Sequence, residues 1–181
     1  MTNKLIGLRL PLEDIKKLEV IAHQNNQSVN SVAKNAIIEW LEIFSRTRQQ
    51  GMIILGKLLV SNLLELIDVD KLKQFAELTA DRKVDFFHFI IGKHPSVNTL
   101  DEFIKDAPKI LGNKGLMWFD HIEITKEKNS VHFKGVHSLG EKWPQFLLFF
   151  FNHIMQQYFN MKLNEENLKH SDNSLYLEYN F

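Results

Sequence analysis

Eight histidines are the residues of this chain best suited to chemistry near neutral pH, because imidazole can take up a proton, release one or bind a metal there. His121, His132 and His137 stand within one short stretch. A metal claim needs ligands that converge with the right identity and geometry. No His-x-His pair occurs, and the 181 residues hold no cysteine. Disulfides, thiolate zinc sites and cysteine nucleophiles are thereby excluded. Apolar alternation around these histidines predicts a hairpin turning at Lys128-Asn129. That register sets Ile124 opposite Phe133 and Glu123 opposite Lys134, one apolar and one ionic pair. It also sets His132 opposite Thr125 and His121 opposite Val136, so the imidazoles do not converge and no metal is assigned. The chain shows no glycine-rich phosphate loop, nucleophile elbow or His-Glu-x-x-His pattern. Asp101-Glu102 and Glu165-Glu166 read as capping or exposed charge. No catalytic residue and no cofactor is assigned, and an enzyme is not expected.

A second set of chemistry-bearing residues lies at the start. Ile6, Leu8 and Leu10 alternate with Leu5, Gly7 and Arg9, which a strand would place on opposite faces. Pro11 ends the strand. Glu13 and Asp14 then suit the positive end of a helix, and Ile15, Leu18, Ile21 and Ala22 recur at helical spacing. Asn25 and Asn26 can take the left-handed geometry that stops a helix. Ser28 is a good cap for a second one, whose buried stripe would be Val32, Ala33, Ala36, Ile37, Trp40 and Leu41.

Strand, proline, helix, asparagine break and helix within about residues 4 to 44 resembles the ribbon-helix-helix family of DNA-binding repressors. The resemblance implies a homodimer in which two strands pair antiparallel about a two-fold axis and lie in the major groove of double-stranded DNA. It implies a dimer core of Ile6, Leu8 and Leu10, to which Ile37 and Trp40 of the second helix belong. It turns Leu5, Gly7 and Arg9 toward the bases, with Asn3 at the strand's outer end. Arg9 could reach guanine with two hydrogen bonds, and Leu5 a thymine methyl. Phosphate would be held at the start of the second helix by Ser28 and Asn30, with Lys34 and Lys4 as further contacts. The base-facing strand departs from the family in offering a leucine and a glycine where polar side chains are usual, which implies modest sequence discrimination.

Charge and composition frame these readings. Residues 1 to 50 hold seven Lys and Arg against five Asp and Glu, and the whole chain balances at 22 of each. A strongly basic face is therefore not visible. That keeps a second function class open: a dimerisation or protein-interaction module of antitoxin type, without sequence-specific DNA binding. The long apolar-rich second part argues against a short tail that folds on a partner. Residues 143 to 161 carry no formal charge, yet Gln145, Asn152, His153, Gln156, Gln157 and Asn160 form one wet stripe. That is a helix with a wide buried side rather than a membrane span. No membrane contact is expected, and the cytoplasm is the expected compartment.

The expected organisation is a ribbon-helix-helix domain over 1–48 and a helix-rich α+β domain with a small antiparallel sheet over 51–181, for regulation or oligomerisation. In the second part, 52 to 55 read as a short buried strand and 57 to 67 as a helix. Asp70 would cap a long helix closed by Gly92 and Pro95. Thr99 with Glu102, and Ser138 with Glu141, read as capping boxes, and Pro108 should disturb the helix it enters. Leu175, Leu177 and Tyr179 alternate with Tyr176 and Glu178 as a final strand. Phe86, Phe87, Phe89, Trp143, Phe146, Phe149, Phe150 and Phe151 read as core. A small-molecule pocket or an oligomer interface is their alternative use. Residues 146 to 151 are apolar around the whole helix, so at least one phenylalanine should meet a second subunit or a helix from 52 to 92.

Overall fold

The computed structural model describes residues 6 to 45, 48, 55 to 113 and 115 to 181; the side chains of 42, 43, 86 and 89 to 91 are not part of that description. The chain divides into two compact units, Met1–Arg46 and Thr47–Phe181.

In the first unit, residues 6 to 11 are extended but belong to no strand. The strand expected there is not formed, and Ile6, Leu8 and Leu10 are exposed rather than buried. A ladder needs a hydrogen-bonded neighbour, and among the described residues no strand pairs with this segment. Helix α1, Leu12–Gln24, follows Pro11, with Glu13 and Asp14 in its first turn. Asn26 at φ 51° turns the chain out of it. Helix α2, Val29–Glu39, starts at Ser28, whose Oγ accepts from the Ser31 N–H at 3.1 Å. A π-helical turn, Trp40–Phe44, continues it. Of the stripe expected to be buried on α2, Val32 and Ala33 are half-buried, whereas Ala36, Ile37, Trp40 and Leu41 are exposed.

The second unit is α+β. Helix α3, Lys57–Glu65, is followed by α4, Val69–Ile91. The expected strand at 52 to 55 falls outside the described residues except for Leu55, which is not in a strand. Asp68, not Asp70, caps α4, accepting from the Lys71 N–H at 2.9 Å; Asp70 already lies inside the first turn. Leu72, Ala76, Ala80, Val84 and Phe87 form the buried stripe of α4, and Gly92 at φ 79° ends it in the left-handed geometry that glycine adopts freely. The capping box before α5, Leu100–Leu111, is Ser96 with Thr99 around a 3₁₀ turn, rather than Thr99 with Glu102. Glu102 instead pairs with Lys93 at 2.6 Å. Pro108 sits within α5 without breaking it.

Strands β1, His121–Lys126, and β2, Ser130–Val136, pair in the expected register, with Ile124 on Phe133 and Glu123 on Lys134. Helix α6, Trp143–Phe159, has no side-chain cap, so Ser138 and Glu141 form no capping box; Pro144 stands in its first turn. Two short strands follow, β3, Lys162–Leu163, and β4, Lys169–Ser171, both paired antiparallel with β5, Ser174–Asn180. The sheet runs β1-β2-β5-β3, with β4 also on β5. Its inner residues Ile124, Val131, Phe133, Leu175, Leu177 and Tyr179 are buried. Phe133 meets Phe151 of α6 with ring centres 4.8 Å apart. Phe75 of α4 meets Phe146 at 5.5 Å, as the all-round apolar helix required. A Cβ on Gly135 would stand 2.3 Å from the Phe119 ring, so this position in β2 admits no side chain without moving that ring. Among the described residues no helix is long and apolar enough to cross a membrane.

Candidate nucleic-acid interface and side-chain clusters

Asn3, Lys4 and Leu5 lie outside the described residues. Gly7 and Arg9 are exposed on the extended segment, with Ile6, Leu8 and Leu10 alternating between them. Ser28 already holds the Ser31 N–H, and the earlier N–H groups of α2 have no intrahelical acceptor, as at any helix start. Asn30 and Lys34 are exposed near that end. No acid stands in the first turn of α2, so its positive end is not neutralised from within. Among the described residues of this unit one apolar side chain is buried, Ala22, while Ile6, Leu8, Leu10, Leu12, Ile37 and Trp40 are each more than 40% exposed.

The second unit assembles polar clusters that single-residue reading did not find. Lys57 Nζ donates to Asp120 Oδ1 at 2.5 Å and to Ser138 Oγ at 2.8 Å. The lysine hydrogen bond holds the Asp120 carboxyl below its ordinary range. Burial lowers the neighbouring His137. Because Lys57 donates to Ser138, it is not placed to take that hydroxyl's proton, which an activated nucleophile requires. Lys142 Nζ donates to the carbonyls of Glu65 at 2.9 Å and Ile67 at 2.6 Å. Together these bonds fasten α3 to the loop before α6, a structural role.

Asp81 of α4 accepts from Tyr158 Oη at 3.2 Å and lies 2.7 Å from His153 Nε2, tying α4 to α6. Burial first, then the charge of Asp81, raises the Tyr158 phenol. On the outer sheet face, His132 bonds Ser130 at 2.8 Å and Tyr176 at 2.9 Å, one through each ring nitrogen. Glu178 accepts from Asn164 and Asn167, which lower its pKa. These groups satisfy one another. Among the described residues no three His, Asp or Glu side chains gather as metal ligands. A shallow concavity of about 320 Å³ on the same face is lined by His121, Lys134, Lys169, His170, Ser171 and Tyr176 among others. Phe87, Phe146, Phe150 and Phe151 close on one core.

Lys83 lies in the second unit with Nζ 5.6 Å from the centre of the Trp118 ring. Burial lowers its pKa to about 8, whereas an unfolded chain restores the ordinary value of 10.5. Between those values the unfolded state binds more protons, so stability rises with pH. The cost of the buried ammonium is fully present below pH 8 and is lost on passing about 10.5, a gain of about 3 kcal/mol. Urea titrations from pH 7 to 10.5 should show that rise in wild type and a flatter profile in Lys83→Met. Equal profiles would refute the assignment.

Comparison of the chain with protein-family models, with curated proteins and with solved structures yields no match.

Proposed function

We propose that the chain is a homodimeric ribbon-helix-helix DNA-binding regulator. Two copies of residues 5 to 10 pair as an antiparallel ribbon in the major groove, and the second unit serves assembly or sensing. One observation carries the reading. Among its described residues, a unit of two helices and an extended apolar-alternating segment keeps a single apolar residue, Ala22, buried and leaves Ile6, Leu8, Leu10, Ile37 and Trp40 each more than 40% exposed. Apolar surface of that extent in so small a unit calls for a partner, and an extended segment with free edges calls for a second strand. With the ribbon formed, Arg9 and Gly7 face outward together with the starts of both α2 helices. Arg9 supplies base contact, and Ser28, Asn30 and Lys34 hold phosphates.

Gel retardation with random-sequence duplex DNA, followed by selection of bound fragments, tests this. Binding should weaken steeply with salt through release of counterions. Arg9→Ala should lose about 10- to 100-fold in affinity, the worth of a bidentate base contact of about 1–3 kcal/mol, while the oligomer persists. Retardation by Arg9→Ala equal to wild type at physiological salt would remove Arg9 from the interface. Absence of salt-dependent retardation in wild type would favour a pure dimerisation module.

A further inference from the structure

Helix α3 is apolar on both sides. Lys57, Val60, Ser61 and Leu64 turn toward their own unit, where Leu64 is buried. The opposite side presents Leu58, Leu59, Asn62 and Leu63, the leucines 75%, 49% and 47% exposed, and is extended by Leu55 before the helix, 45% exposed, and Leu66 at its C-cap, 84% exposed. A helix apolar all round is one covered on all sides. Leu59, Asn62, Leu63 and Leu66 recur at helical spacing along one side of α3 and its C-cap, and Val69 opens the next helix beside them.

We propose that this face is a self-association seam: α3 of a second copy of the chain packs on it about a two-fold axis passing near Asn62. Three observations favour a second copy over other occupants. Asn62 is the polar side chain at the middle of the leucine face, and an amide is both donor and acceptor. Its own image across a two-fold axis satisfies it, in the way a buried asparagine selects register in paired helices. The exposed area of these leucines and Val69 is on the order of 600 Å² per chain, so that two copies bury about 1,200 Å², the lower bound of a stable interface. Charge disfavours anionic lipid and nucleic acid: Lys57 is turned to Asp120, Lys71 pairs with Asp68 at 2.8 Å, and the end of the helix carries Glu65. The seam belongs to the second unit, so it can fail without the ribbon failing, and the reverse.

The chain holds no cysteine, which permits a direct test. Asn62→Cys should give a disulfide-linked dimer on mild oxidation, while Glu123→Cys, on the exposed β1 edge, stays largely unlinked. In a Leu8→Lys background, which disables the proposed ribbon, sedimentation should still show association. Adding Leu59→Glu and Leu66→Glu should weaken that association at least about 100-fold with circular dichroism unchanged. The proposal is overturned if Asn62→Cys links no better than Glu123→Cys, or if the leucine substitutions leave association unaltered. It is also overturned if the Leu8→Lys chain is monomeric and its α3 face binds neutral lipid vesicles instead.

Discussion

Leu8→Lys should disable DNA retention by this chain. Leu8 is 56% exposed between Ile6 at 76% and Leu10 at 42%, and in a paired ribbon these three become the floor of the dimer core. Burying a leucine contributes about 1.5–3 kcal/mol, and a two-fold dimer loses it twice. A lysine would also stand near its own image across the axis, where like charges repel. The sum is at least about 3–6 kcal/mol, a weakening of ribbon pairing on the order of 10²- to 10⁴-fold. Retardation should be lost at concentrations where wild type is saturated. It should also be lost where the α3 seam still holds two chains together, because the two substituted strands cannot pair as the ribbon. Wild-type DNA affinity in Leu8→Lys would exclude a ribbon built on this segment.

Phe151→Ala should cost the second unit about 3–5 kcal/mol, the usual loss for removing a buried aromatic ring. Phe151 is wholly buried. Its ring centre lies 4.8 Å from Phe133, 5.3 Å from Phe150 and 6.2 Å from Phe119, so it joins α6 to the sheet and to the segment before β1. The Phe119 ring rests on β2 at Gly135, where there is no side chain to shift into the void. Against a total stability of about 5–15 kcal/mol, the loss should move the urea midpoint far down. A change below about 1 kcal/mol would mean that the core repacks around the missing ring.

How much could be read without coordinates depended on how local each determinant is. The β1–β2 register was legible because short-range alternation and one ionic pair admit a single alignment. The helix of residues 143 to 159 and the last strand were legible for the same reason. Helix starts were less so. Asp68 and Asp70, or Ser96 and Thr99, are chemically equivalent caps, and backbone geometry chose between them. Strands β3 and β4 were missed because two or three residues carry no period. The clusters around Lys57, Asp81 and His132 join residues 44 to 81 positions apart, and no spacing rule reaches so far.

For the candidate interface, the sequence by itself determined the cap at Ser28, the break at Asn25-Asn26 and the alternation from Leu5 to Leu10. These depend on neighbours a few bonds away. Tertiary structure alone decided that Ile37, Trp40 and the outer leucines of α3 stand uncovered, because burial depends on which surfaces the rest of the chain reaches. Apolar periodicity says that a face will be hidden; only the folded chain shows which of those faces it leaves open.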